Sequence, residues 1–216
     1  MVTIVPDMKS EDGSWLKNYT VNGKSLKTRA GRLWNSLVTR TTGKHLDKCY
    51  DVSENHFADF QEFAEWCQSQ VGYLNKDERG YYWQLDKDIL VPGNKIYSPQ
   101  TCVFVPPKLN SIFIKQSNEE GLPLGVRRVK GTERFSARAR DIHGVRVHLG
   151  TYATVKEAEL KYLQFKASII LEVLEMYELD PKLKTILKQR WGYGDIEAVD
   201  LIRVEKEVVV KQVSYV

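Results

Sequence analysis

Between Gly125 and Tyr152 this 216-residue chain carries Arg127, Arg128, Lys130, Arg134, Arg138, Arg140 and Arg146 against only Glu133 and Asp141. The local surplus of positive charge is about that of the whole chain, whose formal net charge is +4. Read with the two-residue period of a strand, Arg134, Ser136, Arg138 and Arg140 point one way and Phe135, Ala137 and Ala139 the other. The following strand repeats the split, with Arg146 and His148 outward and Val145, Val147 and Leu149 inward. Solvated strand faces ordinarily mix Lys with Glu, whereas this one concentrates arginine. Guanidinium forks match phosphate oxygens and the acceptor edge of guanine, so a one-sided arginine stripe suits a polyanion. His143 falls in a turn and His148 on the polar face, positions of surface or DNA-proximal residues rather than catalysts.

Other chemistry is excluded by type and spacing. Cys49, Cys67 and Cys102 are an odd, scattered set without Cys-x-x-Cys, which predicts reduced thiols and no disulfide framework. His45, His56, His143 and His148 lack metal-ligand spacing, so no zinc is expected. No run approaches the roughly 18–20 apolar residues that span a bilayer, and Met1–Asp7 lacks the pattern of a secretory leader. Neither a membrane nor export is expected. Hydrophobic residues at 42% and charged residues at 28% are those of a globular protein.

The elements that must position the arginines follow from periodicity. Residues 1–26 read as an irregular arm. A helical period runs from Lys27 through Leu33, Trp34, Leu37 and Val38. A second covers about Phe57–Val71, with Phe57, Phe60, Phe63, Ala64 and Cys67 in one stripe and Gly72 as its stop. Tyr81–Leu90 and Thr101–Val105 have strand composition around a Pro92-Gly93-Asn94 loop, and Pro106-Pro107 opens a helix over Lys108–Lys115. The polar stretch 116–123 reads as a linker. Three short strands follow, Gly125–Lys130, Arg134–Ile142 and Val145–Tyr152, with His143-Gly144 as a hairpin turn. A capping box, Thr154 to Glu157, starts a long helix with Ala158, Leu160, Leu163, Ala167, Ile170, Leu171 and Leu174 on its apolar face. A helix at Pro181–Trp191, capped by Asp180, and a valine-rich tail, Leu201–Val216, complete the chain.

Gly125-Val126, Phe135-Ser-Ala-Arg138, His143-Gly144, Leu149-Gly-Thr-Tyr152, Thr154–Glu157-Ala158 and Tyr162 closely resemble the Apetala-type (ethylene-response-factor) DNA-binding domain. The resemblance covers about 124–177. It implies a three-stranded sheet packed on one helix and laid into the major groove of double-stranded DNA. Arg127, Arg128, Arg134, Arg138, Arg140 and Arg146 are then the positions expected to touch DNA, with Lys130 and His148 beside them.

Leu85-Asp86-Lys87-Asp88, Gly93-Asn94-Lys95, Ser98-Pro-Gln-Thr101, Phe104-Val105 and Asn110 resemble the ββα-metal core of HNH homing endonucleases, which often carry an Apetala-type domain C-terminal to the nuclease. Trp34, Cys49-Tyr50 and Phe60-x-x-Phe63-x-x-Trp66 look like a phage-encoded branch, which implies the cytoplasm of an infected bacterium. In that family a histidine deprotonates water while an aspartate and a helix residue hold one divalent cation against the scissile phosphate. By position Asp86 matches the aspartate and Asn110 the helix ligand, but Lys87 stands where the histidine belongs and Thr101 replaces the middle asparagine. A lysine base would need its pKa lowered from about 10.4 to near 7, at a cost of about 4–5 kcal/mol, and flanking carboxylates push it the other way. Alternation places Asp86 and Asp88 on one face and Lys87 on the other. Asp86, Asp88 and Asn110 are therefore expected to hold Mg2+ or another divalent cation, with Asp88 the easier base and Lys87 a phosphate contact.

The fold expected is α+β: an HNH-like nuclease domain at 27–115, a linker at 116–123, an Apetala-type domain at 124–177 and a helix with extended tail at 178–216. The function expected is metal-dependent cutting or nicking of double-stranded DNA. Its main rival is an inactive descendant that binds DNA or RNA as a regulator, inhibitor or ribosome binder. A third class is an adaptor that adds its tail to another sheet.

Overall fold

Asn22-Gly23 turns the chain back on itself, with φ of 48° and 73° at the two residues. These are the left-handed values of a two-residue hairpin turn. They join β1 (Asn18–Val21) to β2 (Lys24–Lys27), paired antiparallel with Val21 opposite Lys24. The stretch expected to be an irregular arm therefore contains a hairpin, and Asn-Gly is the signal for it. The computed structural model describes residues 5–42, 54–113 and 121–191. Cys49, His45, Lys115, most of the linker and the valine-rich tail lie outside them. The chain divides into two units, Met1–Pro107 and Lys108–Val216.

In the first unit α1 (Arg29–Thr42) starts where Thr28 Oγ1 accepts the Gly31 amide at 3.0 Å and Asp7 Oδ1 accepts the Ala30 amide at 2.9 Å. Both satisfy amides that a helix start leaves without partners. Gly31 is glycine because an added Cβ would lie 2.1 Å from the Lys17 carbonyl oxygen. The second helix, α2 (Phe60–Ser69), is capped by Asp59 and ends at Gln70, short of the expected Val71. Gly72, at φ 86°, lies instead against the Trp83 ring, where a Cβ would be 2.2 Å from a ring carbon.

The core is aromatic. Phe57 and Phe63 meet edge-on at 5.0 Å, and Phe104 stacks obliquely on Trp66 at 5.8 Å and on Tyr73 at 5.1 Å. Arg29, only 6% exposed, donates from Nε to the Tyr73 carbonyl at 2.8 Å and from Nη2 to the Trp83 carbonyl at 2.7 Å. Its guanidinium also lies 4.2 Å from the Tyr82 ring centre. Hydrogen bonds and ring faces replace the water it loses.

Two small ladders complete this unit. β3 (Glu54–Asn55) pairs parallel with β5 (Ile96–Tyr97), and β4 (Gln84–Asp86) pairs antiparallel with β6 (Val103–Val105), Asp86 opposite Val103. The strand expected over Tyr81–Leu90 is thus only three residues long. Polar groups explain the shortening: Asp77 caps a turn by accepting the Arg79 and Tyr81 amides, and Asp86 does the same for Asp88 and Ile89.

The helix after Pro106 is α3 (Pro107–Phe113). The second unit centres on β7 (Val126–Arg128), β8 (Phe135–Arg140) and β9 (Arg146–Tyr152), antiparallel in that order. α4 (Val155–Met176) starts in the capping box expected, with Thr154 and Glu157 bonded reciprocally. It packs on one side of the sheet through Ala158, against Val126, Phe135 and Ala137. Small residues at Ala137 and Ala158 let helix and sheet approach. Gly125 does the same for Tyr162, whose ring would be 2.1 Å from any Cβ. α5 (Pro181–Trp191) is capped by Asp180, packs along α4 and ties to it through Lys188 and Glu175 at 3.1 Å. Trp191 meets Phe113 of α3 at 6.2 Å. The class is α+β, and no helix among the described residues is long and apolar enough to cross a membrane.

Candidate nucleic-acid interface and carboxylate pair

The register of the three-stranded sheet fixes which arginines share a face. Arg127 is opposite Ser136, which is opposite Thr151; Arg138 is opposite His148; Arg140 is opposite Arg146. Directly opposed residues project to the same side, here the side away from α4. Arg134, one residue before β8, joins them by laying its guanidinium toward the Thr151 carbonyl at 3.1 Å. Arg140 donates to the Gly144 carbonyl at 2.8 Å. The guanidiniums of Arg127, Arg134, Arg138, Arg140 and Arg146 are exposed, and none forms an ion pair with a carboxylate among the described residues. Both acids of the segment are occupied elsewhere. Asp141 Oδ1 accepts the amides of His143 and Val145, at 2.9 and 2.8 Å, and Glu133 binds Arg128.

Arg128 is the correction on this face. It is opposite Phe135, hence on the helix side of the sheet, with its guanidinium 5.1 Å from the Phe135 ring centre and 2.7 Å from Glu133. Strand alternation separates it from Arg127, although both were expected to touch DNA. Lys130 lies in the turn between β7 and β8. Val145, expected inward, is 59% exposed at the tip of the β8–β9 hairpin. The ladder shifts between Ala137 and Arg138, where β9 carries one extra residue. Gly150, at φ 127°, lies at that irregularity. The bulge lets Leu149 pack toward the core while His148 and Thr151 both face out.

In the first unit Asp86 ends β4, and its Oδ1 accepts the amides of Asp88 at 2.9 Å and Ile89 at 2.7 Å. Burial, and then the charge of Asp88, push the Asp86 carboxyl up to about 6, against the lowering effect of those amides. Two carboxylates are thus held close enough for one to resist ionisation. Lys87, expected on the opposite face and offered to phosphate, is 8% exposed. Its Nζ donates to the Asn94 carbonyl at 3.1 Å and lies 3.6 Å from Asp88. Alternation fails there because β4 stops at Asp86 and the chain bends.

Asn94 is the residue that sequence reasoning undervalues. Its Nδ2 donates to the carbonyls of Lys87 at 2.6 Å and Ile96 at 2.7 Å, while its Oδ1 accepts the Ile96 amide at 3.2 Å. It clamps the loop between β4 and β5 around the Lys87 side chain. The signal is its place after Pro92-Gly93, where a turn-forming amide is favoured. Thr101, aligned with the missing asparagine, bonds the Ile96 carbonyl at 3.0 Å and the Ser98 hydroxyl at 2.9 Å. Asn110 stands on α3, past the division between the units. Among the described residues no three His, Cys, Asp or Glu side chains group as a metal site. Comparison with protein-family models, curated proteins and solved structures returned no match.

Proposed function

We propose that the chain is a double-stranded-DNA-binding protein whose first unit carries a divalent-metal-dependent nuclease centre of the HNH type. The observation that carries the DNA-binding part is the set of five exposed guanidiniums on one face of β7–β9 without a carboxylate partner among the described residues. In a free protein such a face is self-repelling, and neutralisation by phosphates with release of counterions is the process that favours it. The Apetala-type resemblance adds the orientation, with the sheet in the major groove and α4 behind it. RNA is a second polyanion the same charges would attract, but the deep, narrow major groove of an RNA duplex does not admit a sheet.

The nuclease part rests on Asp86 and Asp88, with β4, β6 and α3 following one another along the chain in the ββα order of the resembling core. Two carboxylates of which one is pushed toward neutrality suit a cation, because a bound Mg2+ favours both charges at once. Asp86 and Asp88 would hold it, with Asn110 the helix ligand that the resemblance implies. A divalent cation at that place supplies the positive charge that steadies the leaving oxygen of a phosphodiester. Asp86 is aimed by its two amide bonds, and Asp88 is half-exposed and able to accept a proton from water. Lys87 holds the loop and lends one positive charge to Asp88 rather than moving a proton.

The second reading, a DNA binder without chemistry, is favoured by that same internal use of Lys87 where the family has its histidine. Plasmid nicking with and without MgCl2 separates the two, using wild type, Asp86→Ala and Asp88→Ala, with binding to labelled duplex measured in parallel. Mg2+-dependent nicking abolished in both variants, with binding kept, supports the nuclease. Binding without nicking under any divalent cation leaves the binder, and no duplex binding overturns both.

A further inference from the structure

From Gly13 to Leu46 the chain contains no Asp or Glu, while it contains Lys17, Lys24, Lys27, Arg29, Arg32, Arg40 and Lys44. The run is bounded by Asp12 and Asp47, so the charge separation is sharp. It includes the whole β1–β2 hairpin, a feature that neither the arginine face nor the carboxylate pair uses. Arg29 is buried, and Lys44 lies outside the described residues, but Lys17, Lys24 and Lys27 are exposed. None of these three lysines forms an ion pair among the described residues. Lys17 Nζ lies over the Phe60 ring at 5.1 Å, so its stem is held while its charge stays available.

The two faces of the hairpin differ. Tyr19 and Leu26, opposite each other, are half-buried and anchor one side. On the other, Asn18 is opposite Lys27 and Thr20 opposite Ser25, and all four are exposed. That side has only donors and acceptors, pre-aligned by an Asn18 Nδ2 to Ser25 Oγ bond of 2.9 Å. The major groove admits a two-stranded ribbon, and Asn, Ser, Thr and Lys are side chains that bond base edges there.

We propose that the β1–β2 ribbon is a second contact with double-stranded DNA, separate from the β7–β9 face. Its Asn18–Thr20–Ser25–Lys27 side lies toward the bases, and Lys17 and Lys24 lie against phosphates. This rests on the chain being a duplex-DNA binder, and adds that the first unit binds on its own account. Any substrate it cuts is then held by both units, which lengthens the site beyond the span of one three-stranded sheet.

The test uses the full chain and the same labelled duplex for wild type, Lys24→Ala/Lys27→Ala, Lys24→Arg/Lys27→Arg and Arg138→Ala. Affinity is measured across a salt series and the protected length by hydroxyl-radical footprinting. The alanine pair is expected to make the slope of log K against log salt shallower by about 1.8, at about 0.9 for each phosphate no longer neutralised. It should also shorten the footprint at one end, with thermal stability unchanged, and the arginine pair should restore both. Wild-type binding that depends on Arg138, with slope and footprint unaltered by the alanine pair, overturns the ribbon contact and leaves the DNA-binding proposal standing. Absence of wild-type duplex binding removes both.

Discussion

The β7–β9 sheet and the β4–β6 ladder treat charge in opposite ways. The sheet displays guanidiniums that meet no carboxylate among the described residues, while its two acids are taken up by turn amides and by Arg128. The ladder places Asp86, Lys87 and Asp88 in one small space and satisfies them against each other and the loop backbone. Exposed unpaired charge costs little stability and awaits a partner. Half-buried charge in a shared network is part of the fold, and altering it changes stability before it changes binding. Substitutions in the two places should therefore register in different experiments.

Asn94→Ala should have the largest effect. It removes two donated bonds and one accepted bond from the loop, and is expected to cost about 2–3 kcal/mol in denaturant unfolding with duplex affinity unchanged at temperatures where the variant is folded. A loss below about 0.5 kcal/mol would remove Asn94 as the clamp. Asp86→Asn should act in the opposite sense. The folded carboxyl titrates near 6, above the ordinary 3.8, so the folded state holds its proton more tightly. Stability associated with this group is greatest below about pH 4, falls as pH rises through 6 and stays reduced above it. The neutral amide escapes that loss. Asp86→Asn is expected to be more stable than wild type by about 1–3 kcal/mol at about pH 8, the gain closing as the pH approaches about 4, and a pH-independent difference would contradict the shift.

On the sheet, Arg138→Ala should leave unfolding within about 0.5 kcal/mol of wild type while costing about 1–3 kcal/mol of affinity if it reads a guanine edge. Competition between sequences differing at one base pair locates that edge, and equal weakening on all of them makes Arg138 a phosphate contact. The smallest effect sharpens the comparison within the sheet itself. Arg127→Ala should make the salt slope shallower by about 0.9, whereas Arg128→Ala, already paired with Glu133 on the other side, should leave it unchanged.

Much of the second unit is legible in its residues. The capping box at Thr154–Glu157, the helix capped by Asp180 and the three short strands are local patterns, and each forms close to where its residues place it. Alternation fails where a polar side chain competes with the ladder. Asp86 captures two amides, ends β4 and swings Lys87 toward Asp88, which a period of two cannot foresee. Arg128 is misplaced for a different reason, since adjacent arginines look alike in composition but a strand sends them to opposite sides. The hairpin at Asn22-Gly23 is signalled by its turn residues yet hidden by strands that are short and polar.

The extra residue of β9 decides more than local shape. Counting back from Tyr152 without it, Arg146 and His148 would project against α4, and Val147 and Leu149 would stand in water. One inserted position thus sets the polarity of the outer strand. Shortening that strand by a single residue, with every arginine retained, would drive cations into an apolar interior and erase half of the recognition surface.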